Sequence, residues 1–191
     1  MLKNKLLVNA KKVDEFIKGY LRRQKKSSLI EPMKYGVLSG GKKIRSSIII
    51  STGKLLNIHP NKLLYICGAV ECIHSYSLIH DDLPCMDNDK LRRGKLTTHI
   101  KFGESTAVLA GNSLLTLAFE MISDKNFKIK AAYKLKLIKK LAECSGHTGI
   151  AGGQEMDLQF ENKKKKNLKK LLKCKKRKLE SFLVFAVMQL A

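Results

Sequence analysis

The sequence predicts an all-α protein. The chain has only three prolines in 191 residues, and 44% of its residues are hydrophobic. Its apolar residues recur at helical spacing along most of its length, with few clusters of turn-forming residues between them. A chain of this length can bury one sizeable core, so we expect a single domain over residues 1–191.

The first half of the chain contains three helical patterns. Residues 5–23 carry apolar side chains at helical spacing, and a connector containing proline and glycine follows from Ser27 to Gly41. A second helix is expected over residues 43–56. Residues 61–80 are apolar nearly all round, which predicts a helix at the centre of the fold.

The central helix should end before Pro84, because proline disfavours helical geometry at the preceding residue. Residues 81–98 are then expected to form a polar loop. A buried helix should follow over 102–123 and a more exposed one over 129–142, with another starting within 146–150. The apolar stretch at 181–191 has no capping residue, so we expect the chain to stop in the middle of a fold.

The formal net charge is +22, from 38 lysines and arginines against 16 acidic residues. A nucleic-acid-binding protein could have this balance. The excess is spread along the chain, however, and its one dense run, residues 163–178, has leucines at helical spacing and no interleaved aromatic residues. We therefore interpret the run as a solvated helix face. We attribute the excess to surface positions that have drifted to lysine with no partner involved, together with small anionic ligands. No nucleic-acid partner is expected.

The five cysteines form no CxxC pair, which favours reduced thiols and a cytoplasmic location. The N-terminus lacks the apolar core of a signal peptide. We found no apolar run near the length of about 18 residues that spans a bilayer. No stable membrane association is expected.

The segment from Gly40 to Arg45 is the first candidate site. Two glycines precede a predicted helix, so the backbone can approach an anion closely. Lys42 and Arg45 are three residues apart and share a face of the first turn. A flexible loop before a basic helix start is the alternative interpretation.

The segment HDDLPCMDND at 80–89, followed by LRRG, is the second candidate site. Its carboxylates suit Mg²⁺, which shares its ligand shell with substrate phosphates, and the arginines suit phosphate oxygens. His74 lies seven residues before Asp81, on the same helix face. The alternative is an acidic loop that forms salt bridges to its own arginines.

The third candidate segment is GGQEMDL at 152–158, where Gln154 and Asp157 share a helix face. Paired glycines also permit close packing of helices. The sequence alone does not decide between a functional role and a packing role for this segment.

Four segments, in order, resemble the motifs of the polyprenyl synthetase family over about residues 35–180. They are YGVLSGGKKIR, which resembles the GGKxxR motif, ECIHSYSLIHDDLPCMDNDKLRRGKLTTH, FGESTAVLAGNSLLTLAFE and AGGQEMDL. The resemblance, which is closest to bacterial farnesyl-forming members, implies a helical bundle around a central cavity. It also implies a prenyltransferase that joins isopentenyl diphosphate to an allylic diphosphate. Family members are usually homodimers.

The resemblance implies roles for individual residues. Mg²⁺ on the allylic diphosphate would be ligated by Asp81 and Asp87, with Asp82 in support. Arg92 and Lys178 would contact the allylic diphosphate itself. Isopentenyl diphosphate would be held by Lys42, Arg45, His74 and Arg93. We expect five of these side chains to converge on one cavity: Asp81, Asp87, Arg92, Lys42 and His74.

Product length is also suggested by the resemblance. The residues four and five before the first aspartate form the floor of the chain-growth cavity in this family, and here they are Ser77 and Tyr76. A tyrosine at this place resembles the farnesyl-forming members, whereas a small pair would have suggested geranylgeranyl diphosphate as the product.

The sequence departs from the family pattern at four places. Leu179 replaces a threonine, Leu96 a proline and Lys90 an aspartate, and no aspartate follows Asp157. The second aspartate-rich motif, which holds a further Mg²⁺ in the family, is therefore missing. We expect this chain to bind an allylic diphosphate but to condense it poorly, and a fragment or inactive remnant is the alternative.

Overall fold

The computed structural model describes residues 2–161, and these residues fold as a bundle of helices. Their elements are α1 (Leu2–Arg22), α2 (Ile30–Val37), α3 (Ile44–Leu55), α4 (Pro60–Asp81), β1 (Leu91–Arg92), β2 (Lys95–Leu96), α5 (Thr98–Phe102), α6 (Glu104–Ser123), α7 (Ala131–Ser145) and α8 (Ile150–Glu161). The predicted all-α class is confirmed. The lysine run at 163–178 and the apolar stretch at 181–191 lie outside the described residues.

Helix α4 is the centre of the bundle, as its apolar sequence predicts. It packs against α1, α2, α3 and α6. Pro60 occupies its first position, where the missing N–H is not needed, and the His59 side chain accepts a hydrogen bond from the backbone N–H of Asn61 at 3.3 Å. The start of the helix that carries the acidic segment is therefore defined by the local sequence.

Two parts of the element prediction were wrong. The predicted connector 27–41 contains helix α2, because Pro32 falls in its first turn, where helices tolerate proline, and Gly36 packs against Ile79 of α4. The predicted loop 81–98 contains an antiparallel hairpin in which Leu91 faces Leu96 and Arg92 faces Lys95.

The buried helix predicted over residues 102–123 is α6, which begins two residues later than predicted, at Glu104. Gly103 has a φ of +89°, so the chain turns there between α5 and α6. Of the described helices, α6 is long and apolar enough to cross a membrane by length and composition, but 44% of its most apolar window is buried inside the fold. Helix α6 thus departs from the expectation that no apolar run approaches the length of a membrane span, although core helices pass the same test.

Candidate active site

The glycine loop before α3 is held in an unusual backbone conformation. Gly40 and Gly41 have φ values of +87° and +107°, which favour glycine, and Lys43 follows with a φ of +41°. A Cβ added at Gly41 would lie 2.5 Å from Nη1 of Arg93. The Arg93 guanidinium donates to the Gly40 carbonyl oxygen, so the loop leaves room for this arginine and also binds it.

The loop forms one wall of a cavity of about 370 Å³. Its other walls come from the start of α3, from α4 and from the turn after β1. The four residues predicted to bind isopentenyl diphosphate all line it: Lys42, Arg45, His74 and Arg93. Lys43 and Glu71 also line it, and sequence reasoning had missed both. The cavity is therefore rich in positive charge.

His74 is neutral in this cavity. Burial lowers its pKa to about 3, with a further contribution from the nearby cations, Arg45 first among them. The Arg45 Nη1 lies 3.4 Å from Nε2 of His74, and a neutral imidazole can accept that hydrogen bond. Burial also lowers the pKa of Arg45, and Arg93 adds to this effect. An anion in the cavity would offset the repulsion between Arg45 and Arg93 and would also favour the protonated form of His74.

The acidic segment begins at the last residue of α4. The backbone N–H of Asp87 donates to the carbonyl oxygen of Asp81 at 2.9 Å, so the chain curls back and brings these two residues together. Asn88 has a φ of +52°, a conformation that asparagine tolerates. The Asp81 side chain is partly buried and Asp87 is exposed.

Asp82 is buried and forms an ion pair with Arg92. The Arg92 Nε donates to Asp82 at 2.6 Å, and its Nη2 lies 3.3 Å from Asp89. This bond raises the pKa of Arg92, whereas burial raises the pKa of Asp82 and the arginine opposes that shift. The alternative interpretation of an acidic loop paired with its own arginine therefore applies to Asp82 and Asp89.

Arg92 and Arg93 are consecutive but reach different partners. Arg92 is in β1 and pairs with Asp82, whereas Arg93 begins the turn with a φ of +55° and lies on the glycine loop. The hairpin thus links two clusters, the cation-lined cavity and the carboxylates at the end of α4. Convergence of all these side chains on a single cavity stays a prediction.

The two residues predicted to set product length lie on α4 between the clusters. The Tyr76 ring meets the His80 ring edge-on, with centroids 5.5 Å apart. Ser77 donates to the His74 carbonyl oxygen at 2.9 Å. Burial raises the pKa of Tyr76, and the nearby Asp81 carboxylate adds to this effect.

The remaining candidate residues have different outcomes. Lys178 lies outside the described residues. Gln154 and Asp157 are in α8, where a side chain added at Gly152 would collide with the His147 carbonyl oxygen. That glycine is therefore required by the tight turn that precedes α8.

The comparisons with known proteins agree with one another. A family model described as polyprenyl synthetase matches residues 26–191. The farnesyl diphosphate synthase of Buchnera aphidicola subsp. Acyrthosiphon pisum is 49% identical over 139 residues, covering 72% of this chain and 49% of that protein. The farnesyl diphosphate synthase of Escherichia coli K12 is 48% identical over 136 residues, covering 71% and 46% respectively. The chain thus spans about half the length of the curated relatives it matches.

The fold comparison gives the same result. The crystal structure of an FPP/GFPP synthase from Zymomonas mobilis superposes with a TM-score of 0.92 at 37% sequence identity. The match covers 100% of this chain and 69% of that one.

Proposed function

The chain belongs to the polyprenyl synthetase family, and from this premise we propose that the protein condenses isopentenyl diphosphate with dimethylallyl or geranyl diphosphate. The product would be farnesyl diphosphate. The observation that carries this proposal is the pair of clusters on either side of the Arg92–Arg93 turn. One is rich in cations and the other in carboxylates, which suits two diphosphates held in different ways.

Isopentenyl diphosphate would bind in the cation-lined cavity. Lys42, Arg45 and Arg93 supply positive charge there, and the guanidinium groups can pair with phosphate oxygens through two parallel hydrogen bonds. His74, neutral when the cavity is empty, would gain a proton more easily beside the anion. These four residues account for the charge of one diphosphate.

The carboxylates at the end of α4 fit a divalent cation that is shared with a substrate. Mg²⁺ is usually bound by one or two carboxylates together with water and phosphate oxygens. Asp81 and Asp87 are brought together by their backbone hydrogen bond, while Asp82 is held by Arg92. The described residues contain no group of three or more metal-binding side chains, so the site would depend on the substrate oxygens. We propose Asp81 and Asp87 as Mg²⁺ ligands, with Asp82 in support.

The reaction would proceed by loss of diphosphate from the allylic substrate. When bound, Mg²⁺ would supply positive charge to that leaving group. Arg92, oriented by Asp82, would contact the same diphosphate, and Lys178 is proposed to do so from outside the described residues. The double bond of isopentenyl diphosphate forms the new carbon–carbon bond, and a proton is then lost to the released diphosphate. This reaction needs no protein nucleophile.

Product length would be set by Tyr76 and Ser77. A bulky ring in the chain-growth cavity would stop elongation at farnesyl diphosphate, and the His80 ring supports the tyrosine from one turn away. Geranylgeranyl diphosphate is the alternative product.

We also propose a homodimer in the cytoplasm, where the four described cysteines, all free thiols, would stay reduced.

The proposal is tested by incubating the purified protein with Mg²⁺ and geranyl and isopentenyl diphosphates. We expect farnesyl diphosphate to form only slowly, because no aspartate follows Asp157 to supply the second metal-binding motif. Asp81→Asn should slow its formation by about a further 100-fold or more. The control is Glu31→Gln, which removes an exposed carboxylate on α2 and should have no effect. Geranylgeranyl diphosphate as the main product would support the alternative, and failure to form any prenyl product would contradict the proposal.

A further inference from the structure

We propose that Lys43 and Glu71 are positioning residues for the isopentenyl diphosphate site. Their buried ion pair would fix the glycine loop so that Lys42 and Arg45 face the same cavity. This inference rests on the function proposed above. Lys43 falls at one of the variable positions of the GGKxxR motif, so the motif itself gives it no role.

The Lys43 side chain is used by the fold and is not offered to a ligand. It is 3% exposed, and its ammonium group reaches three other helices. The Nζ atom lies 3.1 Å from a carboxylate oxygen of Asp14, 3.6 Å from Glu71, and 3.2 Å from the Val37 carbonyl oxygen, to which it donates. A buried ammonium is stable only when it is paired in this way. One side chain thus ties the loop to α1, α2 and α4.

The backbone of Lys43 shows why such a tie is needed. Its φ of +41° and ψ of +51° lie in the left-handed region, which is unfavourable for lysine. Residues are found in such conformations when the surrounding structure fixes them, and they occur often at functional sites. Lys43 directly precedes the first residue of α3. Its conformation therefore determines where Lys42 and Arg45 lie.

Glu71 connects the same segment to α4. It is 4% exposed, and it accepts a hydrogen bond from Ser46 Oγ at 2.6 Å in addition to its pairing with Lys43. His74 lies one turn later on the same helix face and contacts Arg45. The consecutive residues Arg45 and Ser46 of α3 thus contact two successive turns of α4. This arrangement sets the register of the cavity walls.

The pair also controls the charge of the cavity. Glu71 and Asp14 neutralise Lys43, which leaves the charges of Lys42, Arg45 and Arg93 for the diphosphate. Removing the Lys43 ammonium alone would leave a buried carboxylate in the wall of an anion site. A double variant that removes the charges of Lys43 and Glu71 separates loss of position from this repulsion, because the remaining carboxylate, Asp14, is 35% exposed and does not line the cavity.

The test measures two affinities by calorimetry on the full chain, one for isopentenyl diphosphate and one for geranyl diphosphate with Mg²⁺. The variants are Lys43→Met/Glu71→Gln and the single change Glu71→Gln, which keeps the volume of the side chain. Lys43→Arg serves as the conservative variant. Lys54→Met, which changes an exposed lysine on α3, is the control. Thermal melting of each variant reports whether it folds.

We expect the double variant to bind isopentenyl diphosphate about 10-fold or more weakly, by analogy with the loss of side chains that orient the ligands of a metal ion. Glu71→Gln should lose less, and Lys43→Arg and the control should bind as the wild type does. Binding of geranyl diphosphate should be unchanged in all of them. Unchanged isopentenyl diphosphate binding, or a parallel loss of both ligands with the melting temperature, would overturn the inference. A wild-type protein that binds neither ligand would contradict the proposed function itself.

Discussion

The two glycines of the loop differ in what surrounds them, although both have positive φ values. Nothing lies within 4 Å of a Cβ added at Gly40, whereas one added at Gly41 would meet the Arg93 guanidinium. We expect both alanine variants to lose stability through backbone strain, by about 1–2 kcal/mol. Only Gly41→Ala should also displace Arg93 and weaken isopentenyl diphosphate binding. Calorimetry and thermal melting measure the two effects, and equal losses of affinity in both variants would contradict this assignment.

The neutral state of His74 should be visible in the pH dependence of stability. An unfolded histidine takes up a proton near pH 6.5, but folded His74 does so only at about pH 3. The free energy of unfolding should therefore fall as the pH is lowered through this range, by up to about 1.4 kcal/mol per pH unit. Above pH 6.5 the contribution is fully present.

The variant His74→Gln isolates this effect, because glutamine does not titrate. The free energy of unfolding can be measured by urea denaturation at several pH values between about 5 and 6.5. It should depend less steeply on pH in the variant than in the wild type. Identical slopes would show that His74 titrates normally in the folded protein.

At the scale of elements, the contact between α4 and α6 holds the acidic segment in place. Nε2 of His80 lies 3.1 Å from the Val108 carbonyl oxygen, and the ring covers Gly111 so closely that no side chain fits there. His80 directly precedes Asp81. The position of the first aspartate therefore depends on the absence of a side chain in α6.

Replacing Gly111 by alanine should consequently destabilise the protein by about 1–3 kcal/mol through overpacking. It should also weaken Mg²⁺-dependent binding of geranyl diphosphate. Gly19→Ala is the matched control, since Gly19 is also helical but has nothing within 4 Å, and it should stabilise α1 by about 0.5–1 kcal/mol. Chemical denaturation of both variants checks this, and a stabilised Gly111→Ala protein would refute the close contact.

Some elements could be predicted because the signal is local. The bounds of α4 follow from Pro60 at its start and from Pro84 after its end, and the positive φ values of the loop follow from two consecutive glycines. Helix α2 could not be predicted by the same reasoning. Its proline and glycine indicate a connector locally, whereas the packing of Gly36 against α4 comes from the tertiary structure.

The site shows the same division. The grouping of Lys42, Arg45, His74 and Arg93 was predicted from the motifs, and the structure brings these residues to one cavity. The burial of Lys43 was missed because lysine is usually solvated, and its partners Asp14 and Glu71 are distant in sequence. The motifs predicted that Arg92 contacts the allylic diphosphate, but they could not show that its guanidinium also donates a hydrogen bond to Asp82.

For the whole molecule, the proposed homodimer has a candidate surface on α6. One face of this helix is fully buried, but Val108 and Leu109 are 38% and 51% exposed on the other. If this face forms the dimer contact, Leu109→Glu should yield monomers in light scattering coupled to gel filtration. Leu55→Glu is the control, because Leu55 is 84% exposed at the end of α3. A dimer that survives Leu109→Glu would exclude this face as its interface.

The net charge of +22 is a property of the whole chain, and the site uses only a few of its cations. Binding of small anions requires the cavity geometry, whereas loose attraction of nucleic acid by lysines should fade steeply with salt. The absence of a nucleic-acid partner stays a prediction.

The central claim is that the fold holds two different diphosphate sites, and separate titrations of the two substrates test it most directly. Geranyl diphosphate should require Mg²⁺ and should lose affinity in Asp87→Asn. Isopentenyl diphosphate should bind without Mg²⁺, should be unaffected by Asp87→Asn, and should lose affinity in Arg45→Gln. If both ligands instead depend on Mg²⁺ and lose affinity together in both variants, the two clusters act as one site and the claim is wrong.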